Sequence, residues 1–214
     1  MQQRNDTLGL LGETSPREMT RNKLADAAHR LFMARGFHAV TVDEIAKEAG
    51  LSRRTFFRHF ATKESVVFPD DDKNMRFFRL ALAQETGGRP ATMDHLRAVQ
   101  SLMAAVLMAN AELIGQRRAF IDQSASLIAH EEMIFLEWRR ALAEGIDGIL
   151  HQVDAGDQVA PSSNALIVAG AIVGALKPTF EAWYSSGQKI DLAEAGDQVL
   201  ARLEHGFGRE LRPI

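Results

Sequence analysis

The sequence predicts an all-α fold in which a three-helix N-terminal head carries a helix-turn-helix and a larger C-terminal helical domain follows, with about nine helices in total. Apolar residues recur at helical spacing along most of the chain. No segment alternates apolar and polar residues between turn signals, as a half-buried strand would. The chain has 214 residues, of which 46% are hydrophobic, and this is enough to bury a substantial core.

The first helix is predicted over residues 21–35. Its apolar residues, starting at Leu24, recur at helical intervals and form one stripe. Thr20 is the expected N-cap, and Gly36 is the expected stop. Residues 1–16 show no period, so we expect a mobile N-terminal arm before this helix.

The second and third helices are marked by their capping residues. Thr41 and Glu44 form a capping box, in which the Thr41 hydroxyl accepts from the N–H of Glu44 and the Glu44 carboxylate accepts from the N–H of Thr41. A tight turn is expected at Gly50, after which Ser52 caps a short helix that runs to Phe60. Two helices joined by a tight turn are the arrangement that lays the second helix in the major groove of DNA.

Beyond Lys63 the sequence contains only helical signals. The predicted helices span residues 65–84, 92–108, 112–122, 126–153, 164–186 and 192–207, with loops at 86–90 and 156–162. Pro69 is able to interrupt the first of these helices, because proline lacks a backbone N–H. Pro178 is expected to kink the helix that contains it without ending it, since aromatic residues continue the pattern.

Composition narrows the classes of protein. The sequence has no cysteine, which excludes disulfides and thiolate metal sites. The first 16 residues carry charges and no apolar core segment, which argues against a signal peptide. The longest strongly apolar run, Ala165 to Leu176, has 12 residues. A spanning helix needs roughly 20, so we expect no membrane segment and a soluble, cytoplasmic protein.

Charge is distributed unevenly along the chain. Residues 17–65 contain ten basic and six acidic residues, a surplus of +4, whereas residues 66–214 contain 14 basic and 20 acidic residues, a surplus of −6. This fits a DNA-facing head on an acidic body. A surplus of this size also arises by chance, so charge alone does not decide between the two interpretations.

Several polar residues of the helix-turn-helix suit contacts with DNA. Arg53 and Arg54 open the third helix, where side chains meet base edges, and arginine is the commonest bidentate partner of guanine. Thr55 suits a thymine methyl group or a phosphate. Four residues are placed to meet the sugar-phosphate backbone: Thr41, Arg58, His59 and Lys63. Helix-turn-helix units also occur in proteins that bind no DNA, so spacing alone leaves both interpretations open.

The same region contains a dense series of motifs at fixed spacing. They are Leu24-Ala25-Asp26-Ala27-Ala28, Leu31-Phe32, Gly36-Phe37, Thr41-Val42-Asp43-Glu44-Ile45-Ala46, Ala49-Gly50-Leu51-Ser52-Arg53-Arg54-Thr55-Phe56-Phe57-Arg58-His59-Phe60 and Lys63-Glu64. With these motifs, about residues 17–66 resemble the N-terminal domain of the TetR family of bacterial repressors. The resemblance implies sequence-specific binding to DNA.

The resemblance also implies roles for individual residues. It assigns base reading to the start of the recognition helix, which here is Ser52, Arg53, Arg54 and Thr55. It assigns phosphate contacts to Thr41, Phe57, His59 and Lys63. Two positions depart from the family pattern. Phe57 stands where relatives usually have tyrosine, so a phenolic hydroxyl is missing, and Arg54 stands where many have glycine, which adds a guanidinium.

For the rest of the chain, the resemblance implies a variable helical domain that binds a small effector and forms a homodimer. The boundaries are then an arm at 1–16, a DNA-binding domain at 17–64 and an effector-binding and dimerisation domain at 65–214. The helix from Asn164 is rich in small residues and apolar all round, which favours a four-helix dimer interface with the last helix. The expected interface residues are Ala169, Gly170, Val173, Gly174, Leu200 and Leu203. The alternative is an ordinary monomer core.

The C-terminal domain also contains many large, flexible hydrophobic side chains. They predict an adaptable apolar effector pocket lined by Phe77, Phe78, Met103, Leu107, Phe120, Phe135, Trp138, Leu176 and Phe180. Plain core packing is the alternative. The domain further resembles a TetR subgroup that senses acyl-coenzyme A-like ligands. For such a ligand, the anion partners at the pocket mouth would be Arg76, Arg79, Arg117, Arg118, Arg139 and Arg140.

An enzyme finds little support in the sequence. None of the seven histidines has metal-ligand spacing, no glycine-rich phosphate loop follows a strand, and no serine lies in a nucleophile elbow. We therefore expect neither a metal nor a cofactor. The prediction is a ligand-responsive regulator, a repressor, that binds a near-palindromic operator as a homodimer and is released by a small hydrophobic effector. The alternative is a helical protein-interaction adaptor, which would form no sequence-specific complex with DNA.

Overall fold

A computed structural model of the chain describes residues 15–150 and 159–206, and all the regular structure in these ranges is helical. The described helices are α1 (Pro16–Arg35), α2 (Val42–Glu48), α3 (Arg53–His59), α4 (Asp71–Thr86), α5 (Met93–Ala109), α6 (Ala111–Ile121), α7 (Ala125–Ile146), α8 (Ser163–Ser185) and α9 (Leu192–His205), with a 3-10 helix at Glu64–Val67. The predicted all-α architecture is confirmed. The expectations for residues 1–14, Val153, 156–158 and Phe207 lie outside the described residues.

Helix α1 begins earlier than the sequence pattern indicated. The Ser15 hydroxyl accepts from the N–H of Glu18 at 3.2 Å, and the Glu18 carboxylate accepts from the N–H of Ser15 at 2.8 Å, which forms a capping box. Pro16 is the first helical residue, where its missing N–H costs no intrahelical bond. The predicted cap at Thr20 is therefore wrong, and its hydroxyl instead donates to the carbonyl of Pro16. The first turns are polar, so the apolar stripe could not indicate them.

The two helices of the helix-turn-helix begin as predicted. The Thr41 and Glu44 capping box is present at the start of α2, and the Ser52 hydroxyl accepts from the N–H of Thr55 at the start of α3. Between them, Gly50 has φ of +68°, a left-handed conformation that glycine adopts without steric cost. These local devices fix the entry of both helices and therefore the direction of α3.

The chain folds as two compact units, and the division does not follow the order of the sequence. The first unit contains the chain up to Lys73 together with Gln116–Met133, and the second contains Asn74–Gly115 and the chain from Ile134 onward. Helices α4, α6 and α7 therefore each contribute residues to both units. In the first unit, the core of the head is completed by Phe120, Ile121 and Leu127.

In the second unit, two groups of ion pairs accompany the apolar packing. Glu144 is 2% exposed and accepts from Arg79 at 2.7 Å and from Arg140 at 3.1 Å. Arg97 on α5 pairs with Asp197 and Glu204 on α9 at 3.1 and 2.8 Å. A buried carboxylate needs such partners because an isolated charge is costly to remove from water.

Two predicted helix boundaries change in the body. The segment that begins at residue 65 is split into the 3-10 helix and α4, which is the interruption that Pro69 allowed. Helix α7 ends at Ile146 rather than continuing toward residue 153, and Gly148 follows it with φ of +72°. An added Cβ at Gly148 would lie 2.8 Å from the backbone nitrogen of Pro90, so the close approach of another loop accounts for the glycine. Helix α8 continues through Pro178, as predicted.

Helix α8 is more exposed to solvent than its apolar composition would suggest. It is the one single helix among the described residues that is long and apolar enough to span a membrane, with a mean hydropathy of 1.5 over 18 residues, of which 17% are buried. The consecutive pair α5 and α6 passes the same test only together and is bent by 81°. No such segment was expected from the sequence, because its longest uninterrupted apolar run has 12 residues. Length and composition are weak evidence for a membrane, since a helix that docks against protein has the same properties.

Candidate DNA-binding face and ligand cavity

Helix α3 presents a basic face to solvent. Arg53, Arg54, Phe57 and Arg58 are all exposed, as base or backbone contacts must be. Arg54 and Arg58 make no ion pair within the described residues, so their guanidinium groups are available. The structure thus brings both predicted base-reading arginines to the same accessible surface.

Arg53 differs from Arg54 because it is held by two neighbours. Its Nη1 donates to the Asp43 carboxylate of α2 at 2.6 Å, and its guanidinium carbon lies 5.3 Å from the centre of the Phe57 ring. Both members of the ion pair are exposed, so the pair contributes little to stability. Its effect is instead geometric, because it restricts the directions in which Arg53 can point. Sequence analysis did not assign Asp43 a role in the site.

The two hydroxyl groups at the start of α3 are bonded to each other. The Ser52 and Thr55 oxygens lie 2.9 Å apart, and Ser52 also caps the helix. At the start of α2, the Thr41 hydroxyl donates to Glu44 at 2.8 Å. Hydrogen bonds from Thr41 and then from Arg35 lower the pKa of Glu44 to about 2, so this carboxylate stays ionised and keeps its partners. Thr41, Ser52 and Thr55 therefore serve as helix-start residues before any DNA is bound.

Lys63 is used inside the head. Its ammonium donates to the carbonyls of Phe37 and Val40, both at 2.8 Å, and lies 4.1 Å from the centre of the Phe37 ring. Burial lowers the pKa of Lys63 below its ordinary value. The lysine ammonium has three N–H donors, and the two carbonyls use two of them. One donor therefore remains for the predicted phosphate contact. The main role that the structure gives Lys63 is to close the loop between α1 and α2.

His59 does not reach the DNA-facing surface. Its side chain is buried, with 8% exposure, and neither ring nitrogen has a hydrogen-bond partner among the described residues. Burial lowers its pKa, and the charges of Arg58, Arg17 and Arg21 lower it further. In this position His59 offers no accessible ring nitrogen for the phosphate contact that the family resemblance implied.

Arg21 is a structural residue that the sequence analysis missed. Its Nε donates to the Pro69 carbonyl at 2.7 Å, it pairs with Asp72 at 3.2 Å, and its guanidinium lies 4.2 Å from the centre of the Phe60 ring. It also donates to the carbonyl of His59. These contacts tie the end of α3 to the start of α4. No sequence signal indicated this role, because the partners are distant along the chain.

The second unit contains a cavity of about 110 Å³ whose wall is almost wholly apolar. Six of the nine predicted pocket residues line it: Phe78, Met103, Phe135, Trp138, Leu176 and Phe180. The other three lie elsewhere. Phe77 is buried but does not line the cavity, Leu107 packs near Trp183, and Phe120 belongs to the core of the first unit.

Nine further residues line the cavity and were not predicted to do so: Leu96, Val99, Gln100, Ala104, Leu142, Ile172, Val173, Leu192 and Leu200. Those on α5 share the helical spacing of Met103, so this spacing could have indicated them. Val173 and Leu200 had been assigned to the dimer interface. Leu200 and Ala169, at 1% and 0% exposure, are enclosed within the protomer and have no surface to offer a second chain.

The six arginines predicted at the pocket mouth are not assembled into an anion site. Arg79 and Arg140 are paired with Glu144 in the second unit. Arg117 pairs with Asp70, and Arg118 pairs with Asp122 and Glu131, all within the first unit. The remaining two, Arg76 and Arg139, are exposed.

The exposed face of α8 is apolar and nearly flat. Ile167 is 70% exposed and Leu166 is 39% exposed, while Ala171 and Gly174 continue the same surface. A Cβ added at Gly174 would meet nothing within 4 Å, so this face is open in the protomer. Of the predicted interface residues, Gly174 lies on it, whereas Gly170 and Leu203 are half-buried.

A chain whose described residues are helical and include an exposed basic recognition helix has the features of a DNA-binding regulator. Comparison with known families agrees. The family model described as bacterial regulatory proteins, tetR family, matches residues 24–68, and the model described as the MftR C-terminal domain matches residues 90–208. The chain belongs to the TetR family of transcriptional regulators, and its homologues are regulators rather than enzymes.

Two curated relatives are similar in sequence. One is named as the mycofactocin biosynthesis transcriptional regulator MftR of Mycobacterium tuberculosis, 32% identical over 130 residues, which is 60% of this chain and 64% of that protein. The other is the regulator TcmR of Streptomyces glaucescens, 33% identical over 136 residues, which is 63% of this chain and 58% of that protein. The match spans less than two thirds of the length of either relative.

Solved structures share the fold. FadR of Thermus thermophilus, in complex with lauroyl-CoA, gives a TM-score of 0.58 at 21% identity, covering 91% of this chain and 97% of that one. FadR of Bacillus subtilis, in complex with stearoyl-CoA, gives 0.53 at 22% identity, covering 85% and 96%. SmeT, the repressor of a Stenotrophomonas maltophilia multidrug efflux pump, gives 0.53 at 19% identity, covering 84% and 86%.

The position of Lys63 yields a test of its role. Lys63→Met keeps the apolar stem but leaves two carbonyls without their donor, so we expect it to lower the free energy of unfolding by about 1–3 kcal/mol. Lys47→Met, on the exposed face of α2, makes the same charge change and should alter stability by less than about 0.5 kcal/mol. Urea unfolding measures both. A different result would make Lys63 a phosphate contact: both variants as stable as the wild type, with the dependence of DNA affinity on salt concentration reduced only in Lys63→Met.

The burial of His59 predicts a pH dependence. Since its pKa is lowered in the folded state, the unfolded chain binds the proton first as pH falls below the ordinary value of 6.5. Stability is therefore fully present above pH 6.5 and declines below it, by at most about 1.4 kcal/mol per pH unit from this residue. Urea unfolding at pH 7.5 and 5.5 should show a weaker decline in His59→Phe than in the wild type. Identical declines, together with DNA binding that tightens in acid only for the wild type, would restore the phosphate contact.

Proposed function

We propose that the protein is a ligand-responsive repressor that binds a near-palindromic operator as a homodimer and leaves the operator when a small apolar effector binds. The observation that carries this proposal is the exposed pair Arg53 and Arg54 at the start of the recognition helix, in a chain of a family of regulators. Exposed arginines also suit protein interfaces, so sequence-specific binding to DNA is the property that distinguishes a regulator from a protein-interaction adaptor. A regulator of this kind acts in the cytoplasm, where the chromosome lies.

The exposed face of α8 supports the homodimer. An apolar helix of which 17% is buried leaves a surface that water solvates poorly, so a stable protein covers it. A second copy of the same face is a suitable cover, because Ala171 and Gly174 allow two helices to approach closely around Ile167. The two-fold symmetry of such a dimer accounts for the expected near-palindromic operator, since each head reads one half-site.

The cavity supports a small apolar effector. Its volume of about 110 Å³ is below that of a cavity that holds benzene, about 150 Å³, and far below the roughly 300–1,000 Å³ of drug-sized sites. A ligand much larger than benzene therefore has to push the wall outward. Helix α7 contributes Trp138 to this wall and Leu127 to the core of the head, so a displacement along α7 would alter the packing beneath the recognition helix.

Acyl-coenzyme A is the second candidate effector. The FadR structures that share the fold hold lauroyl-CoA and stearoyl-CoA, which favours it. Against it, four of the six arginines that would receive its phosphates are paired with carboxylates, and the cavity would have to enlarge several-fold. We therefore propose the smaller apolar effector and treat acyl-coenzyme A as an outcome of the ligand tests.

Operator reading is tested by variants of α2 and α3. Arg54→Ala should cost about 1–3 kcal/mol and relax preference at one or two base pairs of each half-site. Arg58→Ala, on the same helix, should weaken all sequences alike. Asp43→Asn should relax preference at the base that Arg53 reads while strengthening non-specific binding, because it frees the guanidinium and removes a negative charge near the phosphates.

These effects are measured by binding a randomised operator library at constant salt concentration. Uniform weakening by Arg54→Ala would reassign that residue to the backbone, and absence of any sequence preference in the wild type would favour the adaptor.

The dimer is tested by charging its proposed centre. Ile167→Glu places a carboxylate on the exposed face of α8 and should convert the dimer to a monomer, because two such charges would face each other across the symmetry axis. Leu80→Glu, at an apolar residue of α4 with 47% exposure, is the matched control and should leave the dimer intact. Light scattering over a range of concentrations measures the mass. A dimer that persists in Ile167→Glu would move the interface to another surface.

A further inference from the structure

One polar side chain interrupts the apolar wall of the cavity. Of the fifteen residues that line it in the described part of the chain, Gln100 alone carries an amide, and the indole N–H of Trp138 is the only other nitrogen-bearing side-chain group. Neither a carboxylate nor a cationic group is among them. A lone amide in such a wall is costly unless it is hydrogen-bonded.

The contact between helices α5 and α9 determines where the Gln100 side chain lies. Its Nε2 donates to the carbonyl of Leu192, the first residue of α9, at 3.1 Å. The amide lies directly over Gly196, where an added Cβ would be 1.9 Å from Nε2 and 2.5 Å from Cδ. Glycine at residue 196 leaves room for this placement, and the hydrogen bond to Leu192 holds the half-buried side chain against α9.

This placement leaves part of the amide unused. A glutamine amide has two N–H donors and a carbonyl oxygen that accepts, and the bond to Leu192 occupies one donor. Within the described residues, the carbonyl oxygen of Gln100 has no hydrogen-bond donor. This oxygen is not among the fully buried unpaired atoms, so solvent can reach it. A ligand that brings a donor replaces the hydrogen bond to water, whereas a purely apolar ligand leaves the oxygen dehydrated.

We infer that Gln100 determines the specificity of the cavity, and that the effector is an uncharged, mainly apolar molecule with one hydrogen-bonding group, such as an aromatic alcohol. This rests on the proposed function in one respect, namely that the cavity is the effector site. The absence of charge in the ligand follows from the wall. No carboxylate or cationic side chain is among the described lining residues, so a charged group buried against this wall would have no ionic partner in it.

The volume of the cavity determines which small molecules are suitable as probe ligands. At about 110 Å³, it is somewhat smaller than a cavity of about 150 Å³ that holds benzene, so a single aromatic ring is the ligand size that requires the least displacement of the wall. Phenol and benzene differ by one hydroxyl group and form a matched pair. Water solvates phenol better than benzene, so a wholly apolar cavity would prefer benzene, and a preference for phenol requires a hydrogen bond inside the protein.

Calorimetric titration of the full-length protein tests the inference. The wild type should bind phenol at least as tightly as benzene. Gln100→Met, which replaces the amide by an unbranched apolar side chain of similar length, should weaken phenol about tenfold, the effect of one neutral hydrogen bond, while benzene binds as before or more tightly. Retained benzene binding shows that the variant cavity is intact, and the comparison of the two probes in the wild type stands even where the variant fails to fold.

Four outcomes would overturn the inference. Binding of benzene but not phenol to the wild type would leave the cavity as a ligand site and remove the role of Gln100. Equal weakening of both probes in Gln100→Met would make the residue structural. Failure of both probes, with tight binding of lauroyl-CoA, would reject the neutral aromatic ligand and favour the acyl candidate. Binding of no probe would reject both the inference and the proposed effector site.

Discussion

The packing of Phe120 within the first unit is the constraint on which the rest of the molecule depends. Its ring lies 6.0 Å from that of Phe32 and 5.8 Å from that of His29, in edge-to-face geometry, so a residue of α6 completes the core beneath the recognition helix. Protein interiors are close-packed, so a shift of this ring has to be taken up by the side chains around it. The head is therefore not closed by its own three helices. Its geometry depends on segments of α6 and α7 whose remaining residues belong to the second unit.

Local sequence signals were enough to predict the helix-turn-helix, whereas apolar periodicity alone misplaced the start of α1 and the end of α7. The capping box of Thr41 and Glu44 lies within four residues, so the sequence alone indicated where α2 begins. The start of α1 was missed because its first turns carry no apolar stripe. The end of α7 carries a local signal that was not used, since Gly148 has φ of +72° and the N–H of Ile149 donates to the carbonyl of Glu144 at 2.9 Å. Apolar periodicity indicates neither kind of boundary.

The difference between local signals and distant contacts also explains why only some of the predicted site residues lie where they were expected. Arg53 and Arg54 were predicted to be accessible because the first turn of a recognition helix faces outward in this motif. His59 and Lys63 were assigned to phosphates by position, yet one is enclosed in the core and the other donates to Phe37 and Val40. Periodicity likewise could not separate Phe120 from Phe135, since both are aromatic residues on amphipathic helices. Which of them meets the head and which meets the cavity depends on the helices packed against them.

The charges of the chain separate two kinds of recognition. In the second unit, the carboxylate of Glu144 holds Arg79 and Arg140, so the cavity nearby is left to apolar contacts and to the amide of Gln100. On α3, Arg54 and Arg58 have no such carboxylate within the described residues and remain available for DNA. Affinity for DNA therefore depends steeply on salt, because bound counterions are released, whereas affinity for an uncharged ligand does not. The exposed arginines of α3 and the almost wholly apolar cavity of the second unit therefore offer different kinds of contact, the first through charge and the second through apolar packing around one amide.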